Sequence, residues 1–278
     1  MSVLRDPFEV LRSSSSTTRH LVPIRSESDL DEVERTRRDR YVNRIKLRYS
    51  GTDIRRVVNA LRQSITQKAI LETSNGPLER DPVCVFTRPI DDEATCVAYA
   101  HTDEIINLAR QKAAAIDLGY ELATRGNMET VFDALRPIFY EHCGHGTEEA
   151  LLGQNRERIV DSDNVHILKG CMASAIACHS DRIAKLAVEK GCIAFRAYKR
   201  ELRFMTDFSR TRLMLRLLRD KKCVTLEDLN GAERFVAESM KAALIHDRDS
   251  LMPVGDPQAR IAHFGAIDRQ KYRRIMRG

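Results

Sequence analysis

The stretch from Asn164 to Val188, NVHILKGCMASAIACHSDRIAKLAV, constrains the fold more than any other. Its first half is small and apolar almost all round. A segment with no polar face must be enclosed by neighbours, which reads as a closely packed central helix. Lys169 is the one cation between Asn164 and Ser180, placed to reach a groove or to snorkel. Around this segment most of the chain has helical patterning. Asp53 is placed to N-cap a helix with Ile54, Val57, Val58, Leu61 and Ile65 on one face and Arg55, Arg56, Asn59 and Arg62 on the other. Helical pattern runs again from about Thr102 to Ala123. Gly126 is placed to end that helix and Asn127 to cap the next, which carries Val131, Phe132, Leu135 and Ile138. Residues 141–163 read as polar loop. Three prolines and a β-rich run, Val83 to Thr87, make 74–102 a loop-rich insertion. The class expected is mainly α.

Residues 1–30 read as an arm. Val3, Leu4, Phe8, Val10 and Leu11 form an apolar stripe too short to fold alone, and Ser13 to Thr18 follow as a flexible joint. Such an arm needs a groove, in its own chain or a neighbour. The expected division is this arm, an N-lobe over 31–145 and a C-lobe over 146–278.

The chain carries 46 Lys+Arg against 40 Asp+Glu, unevenly placed. Arg35 to Arg48 holds seven basic residues and one acid, Arg200 to Lys222 eight and three, and Arg269 to Gly278 five and none. Local excess of this kind attracts polyanions. Seven cysteines with no C-x-x-C pair argue for reduced thiols in an intracellular setting. Nowhere do 18 apolar residues run together, so no spanning helix and no stable membrane insertion are expected.

His142-Cys143-Gly144-His145 offers three metal-ligand types in four residues, with Cys171, Cys178 and His179 further along. No standard zinc spacing is met, so no metal and no cofactor are expected. Cys143 with His142 or His145 spells a Cys–His pair, but sequence neighbours rarely align as nucleophile and base, and an enzyme is the third reading here. Phosphate-loop motifs are absent. Asp91-Asp92-Glu93 reads as solvated surface. Polyanion binding fits better. Tyr49, beside Arg44, Lys46 and Arg48, is placed to stack on a base, and Arg125-Gly126-Asn127 lies at a helix joint where an anion can sit.

Five segments, in order, resemble the nucleoproteins of phenuiviruses, the phleboviruses and tenuiviruses. They are YSGTDIRRVVNALRQ (Tyr49 to Gln63), LATRGN (Leu122 to Asn127), HILKGCMASAIA (His166 to Ala177), FSR (Phe208 to Arg210), and MKAAL (Met240 to Leu244) leading to HFGAID (His263 to Asp268). The resemblance implies two helical lobes with an RNA groove between them and an extended N-terminal arm that docks on the next protomer. It implies encapsidation of single-stranded genomic RNA, homo-oligomerisation, a viral polymerase as partner, and a place in the virion and the infected cell's cytoplasm. Carried over by position, Tyr49 would stack a base, with Arg48, Arg55, Arg125, Asn127, Lys169 and Arg210 on RNA. It implies no enzyme. The alternative is a matrix-type or scaffold protein binding anionic membrane or nucleoprotein.

Overall fold

The computed structural model describes residues 27–72, 82–203, 207–219 and 225–259. The apolar arm, the 73–81 part of the proposed insertion and the HFGAID segment lie outside the described residues.

VCVFTR, flanked by Pro82 and Pro89, is rich in β-branched and aromatic residues and forms β1 (Val83–Arg88). Helix α3 (Glu93–Arg110) then leads to β2 (Ala114–Gly119), which pairs with β1 in parallel. After helix α4 (Arg125–Leu135) the chain returns as β3 (Phe139–Cys143) on the other side of β1. Three short strands, β4 (His145–Gly146), β5 (Ala150–Leu152) and β6 (Arg158–Asp161), make a small antiparallel sheet. β7 (Met172–Ile176) rejoins the main sheet beside β3, helix α5 (Asp181–Glu189) follows, and β8 (Ala194–Tyr198) pairs with β7. β9 (Leu251–Gly255) closes the far edge, antiparallel to β8. The order is β2-β1-β3-β7-β8-β9.

Four more helices surround this sheet: α1 (Glu27–Tyr49), α2 (Ile54–Glu72), α6 (Asp207–Leu218) and α7 (Leu226–Ser250). Helix α3 covers one face. Arg88 of β1 reaches it through the Tyr99 carbonyl at 2.9 Å and Asp103 at 2.7 Å, and Cys143 of β3 through the Ala98 carbonyl. The other face presents Tyr140, whose ring meets Phe132 of α4 edge-on. Helix α2 packs on α4, and Ile54 and Val58 join Met128 and Val131 in the core.

The mainly α expectation, with two helical lobes and a groove between them, is overturned. One sheet runs from residue 83 to 255, across the expected lobe boundary, and β3 and β7 from its two sides are adjacent strands. The supposed central helix is a 3-10 turn, Val165–Leu168, followed by β7. A strand of a parallel sheet is buried on both faces and so is apolar all round, the same pattern that a buried helix shows. Thr102 to Ala123 is likewise the end of α3 plus β2, and 141–163 holds β4 to β6. Gly126 lies inside the first turn of α4, and Thr124 is the N-cap, its hydroxyl accepting from the Asn127 N–H at 3.3 Å.

Candidate active site

In an open parallel sheet, ligands bind outside the carboxyl ends of the strands, where the strand order reverses. Here the order reverses between β1 and β3: the chain steps from β1 outward to β2, then crosses back to β3 and onward to β7. Three chemically active side chains come from loops at that end.

The first two are His145 and Cys178. Cys143 and Ile176 are register partners at the ends of β3 and β7, and His145 and Cys178 each lie two residues further on. The pairing continues past the strands, with the Gly144 N–H donating to the Ile176 carbonyl at 3.2 Å. Parallel neighbours lie about 4.8 Å apart, so this register carries His145 and Cys178 to the same end of the same strand pair. Gly146 lets them close up. A Cβ there would collide with the Cys178 carbonyl oxygen and stand 2.9 Å from the Ala177 Cβ.

Asp92 is the third. It N-caps α3: its Oδ1 accepts from the Thr95 N–H at 3.0 Å, and Thr95 Oγ1 accepts from the Asp92 N–H at 2.9 Å, completing a capping box. Its other oxygen, Oδ2, lies 2.6 Å from His145 Nε2. Burial alone would raise the Asp92 carboxyl, but the Thr95 N–H and His145 together hold it below the usual carboxylate range. An anionic Oδ2 fixes the proton of His145 on Nε2 and leaves Nδ1 as a free base. The loop carrying Asp92 is itself pinned. Gln154 clasps both main-chain groups of Ile90 at 2.9 Å, and Asp91 Oδ1 accepts from the Gln154 side chain at 3.0 Å and the Asn155 N–H at 2.7 Å. Pro89 packs against Gly144.

Cys178 is half-buried. Burial raises its thiol above the ordinary value, with a main-chain hydrogen bond from Leu202 pulling the other way; the Leu202 N–H lies 3.2 Å from Sγ. His179, directly after it, adopts φ +51°, a left-handed conformation that is strained for a non-glycine residue. The turn is held by buried Ser180, which donates to the Ala177 carbonyl at 2.9 Å and accepts from the Tyr198 N–H at 3.1 Å. Behind it lies His142, fully buried, with Nδ1 2.8 Å from Thr87 Oγ1 and Nε2 3.1 Å from the His145 carbonyl. Burial lowers this imidazole to about 4, so it is neutral and holds the His145 main chain.

The residues expected on RNA do not come together. Tyr49 is buried, and its hydroxyl meets Tyr99 Oη at 2.5 Å, Asp117 Oδ2 at 2.6 Å and Arg88 Nη2 at 3.2 Å. Its ring lies against Gly119, so no face is left to stack a base. Arg125 is tied to Glu129 at 2.9 Å and Asp161 at 3.0 Å, and the Asn127 side chain donates to the Leu122 carbonyl. Lys169 precedes β7, while Tyr49 contacts the carboxyl end of β2, so the two belong to opposite ends of the sheet. Arg210 lies on α6, 3.8 Å from Glu233. Arg48, 3.6 Å from Asp103, and Arg55 are exposed.

Sequence reasoning named His145 and Cys178 but never as a pair, and it placed Asp92 on solvated surface. A signal was present. Two short apolar runs, FYEHC and MASAI, are followed at the same offset by His and by Cys.

No family model and no curated protein matches the chain. Among solved structures it is similar to the crystal structure of the Arg-specific cysteine proteinase gingipain R. The sequences are 16% identical, the TM-score is 0.39, and the match covers 63% of this chain and 46% of that one. The chain thus spans less than half the length of that protein. So loose a likeness carries no weight for the chemistry, which rests on the geometry above.

Proposed function

We propose that this protein is a cysteine peptidase, with Cys178 as nucleophile, His145 as general base and acid, and Asp92 as the residue that orients His145. One observation carries the reading: His145 and Cys178 stand at matching positions just beyond two adjacent parallel strands, and the imidazole is held from behind by a carboxylate. Nucleophile, base and orienter is the arrangement that covalent acyl transfer needs.

The steps follow from the protonation states. Burial keeps the Cys178 thiol protonated in the resting site. His145 Nδ1 takes the Sγ proton as sulfur attacks the substrate carbonyl carbon. The tetrahedral intermediate collapses, the C–N bond breaks, and the departing amine takes the proton from Nδ1–H. Water, deprotonated by the same Nδ1, then hydrolyses the thioester and frees Cys178. Asp92 stabilises the imidazolium that forms twice in each cycle. A polypeptide substrate is favoured by the segment after β8, which lays main-chain groups along the nucleophile: the Arg200 carbonyl 3.5 Å from the His179 N–H and the Leu202 N–H against Sγ. Those two bonds hold the segment beside the nucleophile turn, where its remaining main-chain groups can pair with an extended chain. The nucleoprotein reading loses its stacking tyrosine to the core.

The test is labelling and turnover with the full chain. Iodoacetamide followed by mass spectrometry should modify Cys178 ahead of the buried Cys96, Cys143, Cys171 and Cys192. Cleavage of a denatured protein substrate should vanish in Cys178→Ala and fall steeply in His145→Ala. Cleavage by Cys178→Ala at the wild-type rate would end this reading.

A further inference from the structure

The charge of this protein is concentrated in one stretch of two successive helices. From Arg35 to Arg62 there are ten basic residues and two acidic ones, a net +8, against +6 for the whole chain. The remainder is therefore slightly acidic. Nine of the ten basic residues are arginine. These residues lie on α1 and the first half of α2, and the fold turns their charges outward. Leu30, Glu34, Ile45 and Tyr49 form the buried edge of α1. Arg37, Arg40, Arg44 and Arg48 are exposed and line the flank beside that edge, spaced three or four residues apart. Arg40 to Arg48 is a straight row about 12 Å long at the helical rise. Arg35, on the other side of α1, and Arg55, at the start of α2, are also exposed. Among the described residues, Arg35, Arg40, Arg44 and Arg55 have no ion pair. Elsewhere on the molecule Arg125, Arg158, Arg182, Arg196 and Arg212 are each held by a carboxylate within 3.3 Å.

We propose that the outward face of α1, with the start of α2, binds the phosphate backbone of a nucleic acid without reading its bases. The planar guanidinium matches phosphate geometry two bonds at a time, which accounts for arginine over lysine. Both tyrosines of this stretch are turned inward: Tyr49 is buried and Tyr41 packs its ring edge-on to Tyr99. With no aromatic platform there is nothing to hold an unstacked base, so duplex is bound at least as well as single strand. An anionic membrane is the less favoured partner. An interfacial helix needs an apolar face to insert, and the one large apolar side chain strongly exposed on α1 is Leu47. The Arg48 end of the row lies by β2, where neighbouring Tyr49 reaches Asp117 and Gly119, three strands from the β7 end that carries Cys178, so binding and peptide cleavage are separable.

The probes are a short RNA duplex, the matching single strand, and phosphatidylserine vesicles, each titrated against the full chain over a salt series. The duplex should bind, and log affinity should fall with log salt at a slope of about −4, the value for roughly four phosphates neutralised. Arg40→Glu with Arg44→Glu removes two unpaired exposed charges. It should cut affinity at least about tenfold and flatten the slope by about two, while thermal unfolding and cleavage activity stay at wild-type values. Wild-type affinity in the double variant would overturn the proposal. So would a clear preference for single strand, which signals base stacking, or capture by vesicles without binding to duplex. Loss of peptide cleavage bears only on the catalytic reading, since no arm of the binding experiment uses turnover.

Discussion

Replacing Asp92 by asparagine separates its two roles. One oxygen caps α3 and the other holds His145. Asparagine is as good an N-cap as aspartate, so the capping box survives. The loss of a negative charge at the helix start costs about 0.3–1 kcal/mol. Stability should thus change little. The hydrogen bond to His145 suffers far more. In the transition state it joins a carboxylate to an imidazolium, and a bond to a charged group contributes about 1.5–3 kcal/mol. At one power of ten for each 1.36 kcal/mol, its loss slows turnover by about 10- to 150-fold. The fall is larger if the new amide turns its NH2 toward Nε2, because the ring then carries its proton on Nδ1 and the base is gone. Asp92→Ala adds loss of the cap, about 1 kcal/mol. The assay is kcat for a peptide substrate with thermal unfolding alongside, and the alkylation rate of Cys178 against pH as an independent readout. A kcat fall without change in KM, with a displaced alkylation profile and a near-native melting point, is expected. Asp92→Asn turning over within about twofold of wild type would refute the orienting role, because no hydrogen bond to a developing charge is worth so little.

Gly146→Ala should abolish cleavage and slow Cys178 alkylation, since a methyl group must push the Cys178 main chain away. Unchanged kinetics would mean that the close approach is not needed. Tyr49→Phe should lower stability by about 1–3 kcal/mol, read as a fall in melting temperature, because Asp117 and Arg88 lose a buried partner; nucleic-acid binding should not change. Glu34 is raised to about 7 by burial and its neighbour Glu93. Between about pH 4.5 and 7 the folded chain keeps a proton that the unfolded chain has released, so this group's contribution falls as pH rises through that window. Glu34→Gln should therefore show its largest relative gain at and above pH 7, measured by urea unfolding. His142 acts in the opposite sense. Neutral until about 4 when folded, it contributes fully above the ordinary imidazole value of about 6.5 and loses about 3 kcal/mol as pH falls to 4. His142→Gln should flatten that acid limb whatever it does to stability at neutral pH.

What the sequence made legible was local. Asp53 does open α2, its Oδ1 accepting from the Arg55 N–H at 2.9 Å, and Ile54 and Val58 are buried as the pattern requires. The Val83 to Thr87 run is a strand. What stayed hidden depends on which distant segments pair. FYEHC and MASAI are five residues each, too short to distinguish a doubly buried strand from helix, and only their pairing shows that they are neighbours. Tyr49 misled for a related reason. Its basic surroundings suggested a groove, but three partners from β1, α3 and β2, between 39 and 68 residues away, draw its hydroxyl into the interior.

The site follows the same logic. Asp92, His145 and Cys178 are separated by 53 and 33 residues, and no spacing rule joins them. The sheet does. Each follows the carboxyl end of a strand, and β1, β3 and β7 are consecutive in the sheet though far apart in the chain. Register then decides which side chains meet. A one-residue slip between β3 and β7 would turn either His145 or Cys178 to the other face; buried Ser174 and Glu141 oppose it across that pair, and further buried groups tie β3 to β1 and β7 to β8. Thr87 meets Tyr140 and His142 at 2.8 Å, and Ser174 meets Glu141 at 3.1 Å and Arg196 at 2.9 Å. In the sequence those residues resemble misplaced polar side chains in apolar strands. In the fold they hold the strands in the one alignment that sets His145 and Cys178 at matching positions.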